Sequence, residues 1–199
     1  MLNKIKRIIE VSFLTQKELY ECLENNPIIA AVHDNLFEEA LKSPANVIFL
    51  LGGNLMSVAQ RIKDAKKVDK KIFIHVDLSE GIGKDKSGIE YLSCCGADGI
   101  ISTRANLIRI AKEFGLLTVQ RFFAYDSQGV GSIHDTIYNS FPDIVEIMPG
   151  VISKIIERFS GGNIPLIAGG LIETKAEVIN AINSGALAVS TGKRELWYI

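Results

Sequence analysis

The chain has 199 residues, is 47% apolar, and carries 22 Lys and Arg against 23 Asp and Glu. That is enough to fill one core, and the near-neutral balance argues against a dedicated basic nucleic-acid domain while leaving a local basic patch open. Three cysteines, two of them vicinal at Cys94 and Cys95, make neither a disulfide framework nor a paired zinc spacing, so small buried hydrophobes in a reducing compartment are expected.

The stretch MLNKIKRIIEVSF is charged, and Glu10 and Ser12 interrupt the apolar run that a secretory signal requires. No apolar run approaches the roughly 20 residues of a membrane-spanning helix, so a soluble, cytoplasmic protein without a membrane partner is expected. Residues 4–24 form an amphipathic segment that predicts a helix ahead of the first strand. Short runs rich in Val and Ile then recur: IIAAVH (28–33), NVIFLL (46–51), KIFIHVDL (71–78), DGIIST (98–103), LLTVQRFF (116–123), DIVEIM (143–148), IPLIAGG (164–170) and ALAVST (186–191). They are nearly continuous in apolar character rather than alternating, as parallel strands covered on both faces are.

Between these runs, LFEEALKS, LMSVAQRIKDAKKV, GIEYLSCC, ANLIRIAKEFG, SIHDTIYNSF, VISKIIERFS and KAEVINAINSG place apolar residues three and four apart, the spacing of a helix face. Gly115 and Gly185 sit where a helix C-terminal glycine belongs. Strands alternating with helices in this number predict a (β/α)8 barrel of the TIM type, one domain over residues 1–199 with an N-terminal helix. An open doubly wound sheet fits less well, because such sheets usually have about five or six strands.

In such a barrel ligands sit at the carboxyl ends of the strands, and phosphate commonly lies between the loops after strands seven and eight. IPLIAGGLI ends strand seven in Gly169 and Gly170, and LAVSTG ends strand eight in Ser190, Thr191 and Gly192. Glycine lets the backbone approach an anion, consecutive N–H groups can converge on its oxygens, and the two hydroxyls add donors. Other strand ends turn polar in the same register. HVDL places His75 and Asp77 on one face of strand three, and GIISTR ends strand four with Ser102, Thr103 and Arg104. VQRFF puts Gln120 and Arg121 on strand five, and EIMPG puts Glu146 on strand six.

Taken singly, each of these is as readily a satisfied interior group, and Arg121 with Glu146 reads equally well as an ion pair on adjacent strands. Together they point to a shared ligand cavity. No lysine lies at a strand end where a Schiff base would form. His33–Asp34 and His75–Asp77 are too thin a set for a metal, and none is expected. Asp77 and Glu146 could serve as an acid/base pair, or equally bind the hydroxyls of a polyol. The residues alone lead to a barrel with a small phosphorylated ligand.

HVDL, GIISTR, VQRFF, EIMPG, IPLIAGGLI and GALAVSTGKRELW, in this order and spacing from about residue 28 to Trp197, resemble the bacterial glycerol uptake operon antiterminator regulatory proteins. The resemblance implies a non-enzymatic regulator that responds to glycerol 3-phosphate, binds the leader of glycerol-utilisation mRNA and promotes antitermination, with no cofactor beyond that effector. Gly169, Gly170, Ser190, Thr191 and Gly192 would then take the phosphate, and Asp77, Arg121, Glu146, His75 and Ser102 the glycerol hydroxyls. An enzyme acting on glycerol phosphate or another small phosphorylated metabolite, with Asp77 or Glu146 as base, is the alternative.

RNA contact should show as clustered Lys and Arg. RIKDAKKVDKK offers Lys66, Lys67, Lys70 and Lys71, although Asp64 and Asp69 dilute it and such a run is usually a solvated helix face. Lys4, Lys6 and Arg7 are further candidates, and FFAYDSQGVGS (122–132) reads as a loop whose Phe122, Phe123 and Tyr125 could stack on unpaired bases. SEGIGKDKSG (79–88) is expected as a mobile loop that closes over the end of strand three and presents Lys84 and Lys86 to RNA.

Overall fold

Strands that are apolar on both faces need hydrophobic cover inside and out, which a closed parallel sheet wrapped in helices supplies. The structure, a computed structural model, describes residues 14–199. Its strands are β1 (Ile28–Val32), β2 (Val47–Leu50), β3 (Lys71–His75), β4 (Gly99–Ser102), β5 (Leu117–Phe123), β6 (Ile144–Met148), β7 (Leu166–Gly169) and β8 (Ala188–Thr191). They pair in chain order and close on themselves, β1 meeting β8 with Ile28 opposite Val189. Each strand lies within the run expected for it. The helices are α1 (Gln16–Asn25), α2 (Phe37–Lys42), α3 (Val58–Lys67), α4 (Lys86–Cys94), α5 (Ala105–Glu113), α6 (Ser127–Ser140), α7 (Ser153–Ser160) and α8 (Lys175–Asn183).

Alternate strand residues divide between two cores. Ile29, Val47, Phe49, Phe73, Ile101, Val119, Ile144, Ile167 and Ala188 fill the barrel, with the Phe49 and Phe73 rings 5.6 Å apart. Ile28, Ala30, Ile48, Ile72, Ile74, Ile100, Val145 and Val189 face the other way and pack under the helices. Leu19 and Leu23 of α1 close one end of the interior core. A capping box between Thr15 and Glu18 starts that helix, and the Tyr20 hydroxyl donates to the Asp143 carbonyl at 2.8 Å. Of the amphipathic segment expected over 4–24, residues 4–13 lie outside the described residues. Gly115 and Gly185 adopt φ +74° and +101° just past α5 and α8, as expected of C-terminal glycines.

Two expectations change. Cys22 and Cys95 are only half-buried and Cys94 is exposed, because the register that turns Ile89 and Leu92 of α4 into the core turns Cys94 outward. Segment 122–132 is mostly not a loop: Phe122 and Phe123 end β5, and α6 begins at Ser127 under the Asp126 carboxylate, which accepts the Gly129 N–H at 2.7 Å. Among the described residues, no helix is long and apolar enough to cross a membrane.

Gly99 is where the barrel wall is tightest: a Cβ there would lie 2.4 Å from both the Leu117 carbonyl oxygen and the Phe73 ring. Gly99→Ala is expected to cost about 1–3 kcal/mol of stability, seen as a lower urea midpoint at unchanged slope.

Candidate functional site

The strands all end at one mouth, and the side chains that alternate inward change there from apolar to polar. Arg121 on β5 stands directly opposite Glu146 on β6. Its Nε donates to Glu146 Oε2 at 2.5 Å, with the two side chains 7% and 0% exposed. The Ser190 hydroxyl on β8 donates to the other oxygen, Oε1, at 2.5 Å. A Cβ on Gly169 of β7 would lie 2.5 Å from Glu146 Oε1 and 2.6 Å from Ser190 Oγ, so glycine at 169 is the room this triad occupies.

Above the triad opens a cavity of about 340 Å³, bordered by Arg121, Met148, Gly170, Leu171, Ile172, Glu173, Ser190, Thr191, Gly192 and Lys193, with Ala31 and Leu51 on the far side. It spans the ends of β7 and β8 and falls at the low end of small-molecule site volumes. Gly170 and Leu171 adopt φ +77° and +60°, and the left-handed Leu171 stores roughly 1–3 kcal/mol of strain at the rim. A second cavity, about 380 Å³, lies beyond Leu51 against His33, Asp34, Asn54 and Glu80.

The hydroxyls behave differently from expectation. The Thr191 hydroxyl donates to the Ile172 carbonyl at 2.8 Å and accepts the Lys193 N–H at 3.0 Å. With Ser190 bound to Glu146, both hydroxyl protons go to protein acceptors.

Asp77 and Ser102 form a separate network. Strand β3 ends at His75, and Asp77 lies in the following 3-10 turn, Val76–Leu78, not on the strand face expected. The turn forms because the Ser79 N–H reaches back to the Val76 carbonyl and its hydroxyl to that of His75. Asp77 accepts from the Ser102 hydroxyl at 3.0 Å and the Thr103 N–H at 2.8 Å, and Arg104 Nε lies 3.3 Å away. The Ser102 hydroxyl points to Asp77 because Ile101, not Ser102, takes the inward position on β4. His75 sits between the networks, its Nδ1 buried without a partner among the described residues and 3.9 Å from Asp77. Burial, then the Arg121 guanidinium, push its imidazole down from 6.5 to about 4 against the pull of Asp77.

The lysines divide as well. Lys66 pairs with the buried Asp98, Lys70 is itself buried and donates to the Ser43 and Ala45 carbonyls, and Lys84 bonds the Val76 and Ser79 carbonyls. Segment 79–88 thus lies over the end of β3, as a closing loop would, but Lys84 is turned inward to the Val76 and Ser79 carbonyls rather than presented outward. Lys67, Lys71 and Lys86 pair with Asp64, Asp69 and Glu113 in more exposed contacts. Lys4, Lys6 and Arg7 lie outside the described residues. Phe122 is buried, whereas Phe123 and Tyr125 are exposed and stacked on each other, 5.3 Å apart and 4° from parallel. Among the described residues, no group of three or more His, Cys, Asp or Glu is placed to hold a metal. Sequence reasoning missed Glu173 and Lys193 as cavity-lining residues; their only signal is their place just after strand-end motifs.

These features define a TIM-type barrel with a small cavity over the ends of β7 and β8, floored by a buried arginine–glutamate pair. The chain belongs to the glycerol-3-phosphate responsive antiterminator family, whose model matches residues 28–197. The Escherichia coli K12 protein YgcP is 37% identical over 185 residues, 90% of this chain and 95% of YgcP. The glycerol uptake operon antiterminator regulatory protein of Listeria monocytogenes superposes with TM-score 0.83 at 36% identity, over 87% of this chain and 95% of that one. A glycerol uptake operon antiterminator-related protein of Thermotoga maritima gives TM-score 0.77 at 32% identity, over 85% and 96%.

Because folding lowers the His75 pKa from 6.5 to about 4, the unfolded chain binds the extra proton between those values. Stability is therefore full above about pH 6.5 and falls as the pH drops toward 4, by about 3 kcal/mol in all. Urea unfolding of wild type and His75→Gln at pH 7 and pH 5 checks this, the variant losing less on acidification.

Proposed function

We propose that this barrel is a glycerol 3-phosphate sensor that binds leader mRNA of glycerol-utilisation genes and promotes transcription antitermination. The observation that carries the ligand half is Arg121. It is 6% exposed and borders the cavity, and its Nε is spent on Glu146 while its terminal amino groups have no protein acceptor among the described residues. A buried guanidinium with donors to spare, beside Gly170 and Gly192 backbone, suits a phosphate. Glu146, fully buried beneath Arg121 and Ser190 and outside the cavity lining, orients that guanidinium rather than meeting a glycerol hydroxyl itself. Asp77, Ser102 and His75 act at one remove, shaping the β3 and β4 ends.

Binding rather than turnover fits the carboxylates. A general base needs a lone pair aimed at the substrate proton, yet Asp77 already accepts from Ser102 and Thr103, and Glu146 from Arg121 and Ser190. Glycerol 3-phosphate is therefore an effector, and no other cofactor is invoked.

For the RNA half, Lys66, Lys70 and Lys84 are committed to buried or main-chain acceptors. Lys67, Lys71 and Lys86 hold exposed pairs worth no more than about 1 kcal/mol, which a nucleic-acid phosphate can displace. The stacked Phe123–Tyr125 pair, at the end of β5, offers a platform for unpaired bases. Effector and RNA are coupled only if the ligand binds one form of the protein better than the other.

Calorimetric titration with sn-glycerol 3-phosphate should show binding, with glycerol and inorganic phosphate weaker, and Arg121→Lys should weaken it by roughly tenfold or more. Heat-silent titrations with all three ligands would overturn the sensor reading. In gel-shift assays on the leader RNA, glycerol 3-phosphate should change the affinity, and Tyr125→Ala should cost about 1–3 kcal/mol. Equal RNA affinity with and without effector would reject the coupling.

A further inference from the structure

The chain contains a single tryptophan, Trp197. It lies in the 3-10 helix Arg194–Tyr198 that follows β8, is 1% exposed, and its indole N–H donates to the Thr191 carbonyl at 2.9 Å. That carbonyl belongs to the peptide unit whose N–H is Gly192. In a trans peptide the C=O and N–H point in opposite directions; the pairing of Thr191 with Ala30 already turns this carbonyl toward β1, the indole adds a second donor that locks it there, and the Gly192 N–H is sent the other way. Thr191 and Gly192 both border the cavity.

The donors around this peptide are otherwise spent. The Thr191 hydroxyl serves the Ile172 carbonyl and the Lys193 N–H returns to Thr191 Oγ1. The Gly192 N–H donates to no protein group among the described residues. A hydrogen bond received at the carbonyl also polarises the same amide and makes its N–H a better donor. The indole is itself fixed: Leu196 and Trp197 join the outer core, and Arg194 pairs with Glu39 of the neighbouring helix α2.

We infer that Trp197 is a positioning residue for the ligand's phosphate, its indole orienting the Thr191–Gly192 peptide so that the Gly192 N–H meets a phosphate oxygen. This rests on the phosphate reading of the cavity given above. Because the indole is at the far end of the same peptide, its N–H also reports occupancy of the site.

The test uses the full chain and two probes, inorganic phosphate and sn-glycerol 3-phosphate, with glycerol as control. In wild type, the 15N-labelled indole N–H resonance should shift with both phosphates and not with glycerol. Trp197→Phe keeps an aromatic core residue but lacks the donor, and its Kd for both phosphates should rise roughly tenfold. Leu196→Ala disturbs the same helix while leaving the indole donor, so its melting temperature should fall while its Kd stays within about twofold. An unchanged Kd in Trp197→Phe, or a Kd rise in Leu196→Ala as large as that in Trp197→Phe, overturns the positioning role and leaves the cavity reading standing. If Trp197→Phe does not fold, the wild-type indole decides: no shift at saturating phosphate overturns the role, and a phosphate-specific shift upholds it. Failure of wild type to bind either phosphate overturns the cavity reading itself.

Discussion

A carboxylate with no exposure to water, Glu146, sits at the centre of the barrel mouth. Burying a charge there is tolerable only if it is paired and hydrogen-bonded. Three neighbouring strands meet that need: Arg121 from β5 takes one oxygen, Ser190 from β8 takes the other, and Gly169 on β7 leaves the space. Everything above this layer inherits its geometry. Because Glu146 holds Arg121 at Nε, the guanidinium borders the cavity with its terminal nitrogens unpaired by protein among the described residues; because Ser190 is turned to Glu146, its hydroxyl proton is committed inside the barrel.

The ends of β7 and β8 are then tied to each other and to the chain terminus. Thr191 bonds across to Ile172, and the segment after β8 turns back to place Trp197 behind the Thr191 carbonyl. Gly150 packs so closely on β7 that an added Cβ would lie 2.7 Å from the Gly169 nitrogen. These contacts hold Gly170, Leu171 and Gly192 in place without help from a ligand.

The opposite side of the mouth is organised by Asp77, which draws Ser102, Thr103 and Arg104 to the β3 end, while Lys84 binds the same turn from below its carbonyls. A lysine in sequence is a mobile cation; here it is a clamp. The same holds for Lys66 and Lys70, which stabilise strand starts rather than form a basic strip. Charge counts along a chain therefore say little about the field at its surface, because each cation's partner comes from a different element.

The sequence by itself determined the barrel. Runs apolar on both faces, separated by helical spacing with glycines at Gly115 and Gly185, admit few other packings, and each strand lies within its run. It also brought the ends of β7 and β8 together, since the topology alone sets IPLIAGG and LAVSTG side by side, and a cavity opens there. Only the tertiary structure decided what each polar residue does. The inward or outward sense at β3 and β4 depends on where a strand stops, so Asp77 fell into a 3-10 turn and Ser102 faced it. Whether Ser190 and Thr191 offer protons to a ligand depends on acceptors at Glu146 and Ile172, 44 and 19 residues away in the chain. Periodicity records which face is apolar; it carries no record of which distant group a hydroxyl, an ammonium or an indole N–H will find.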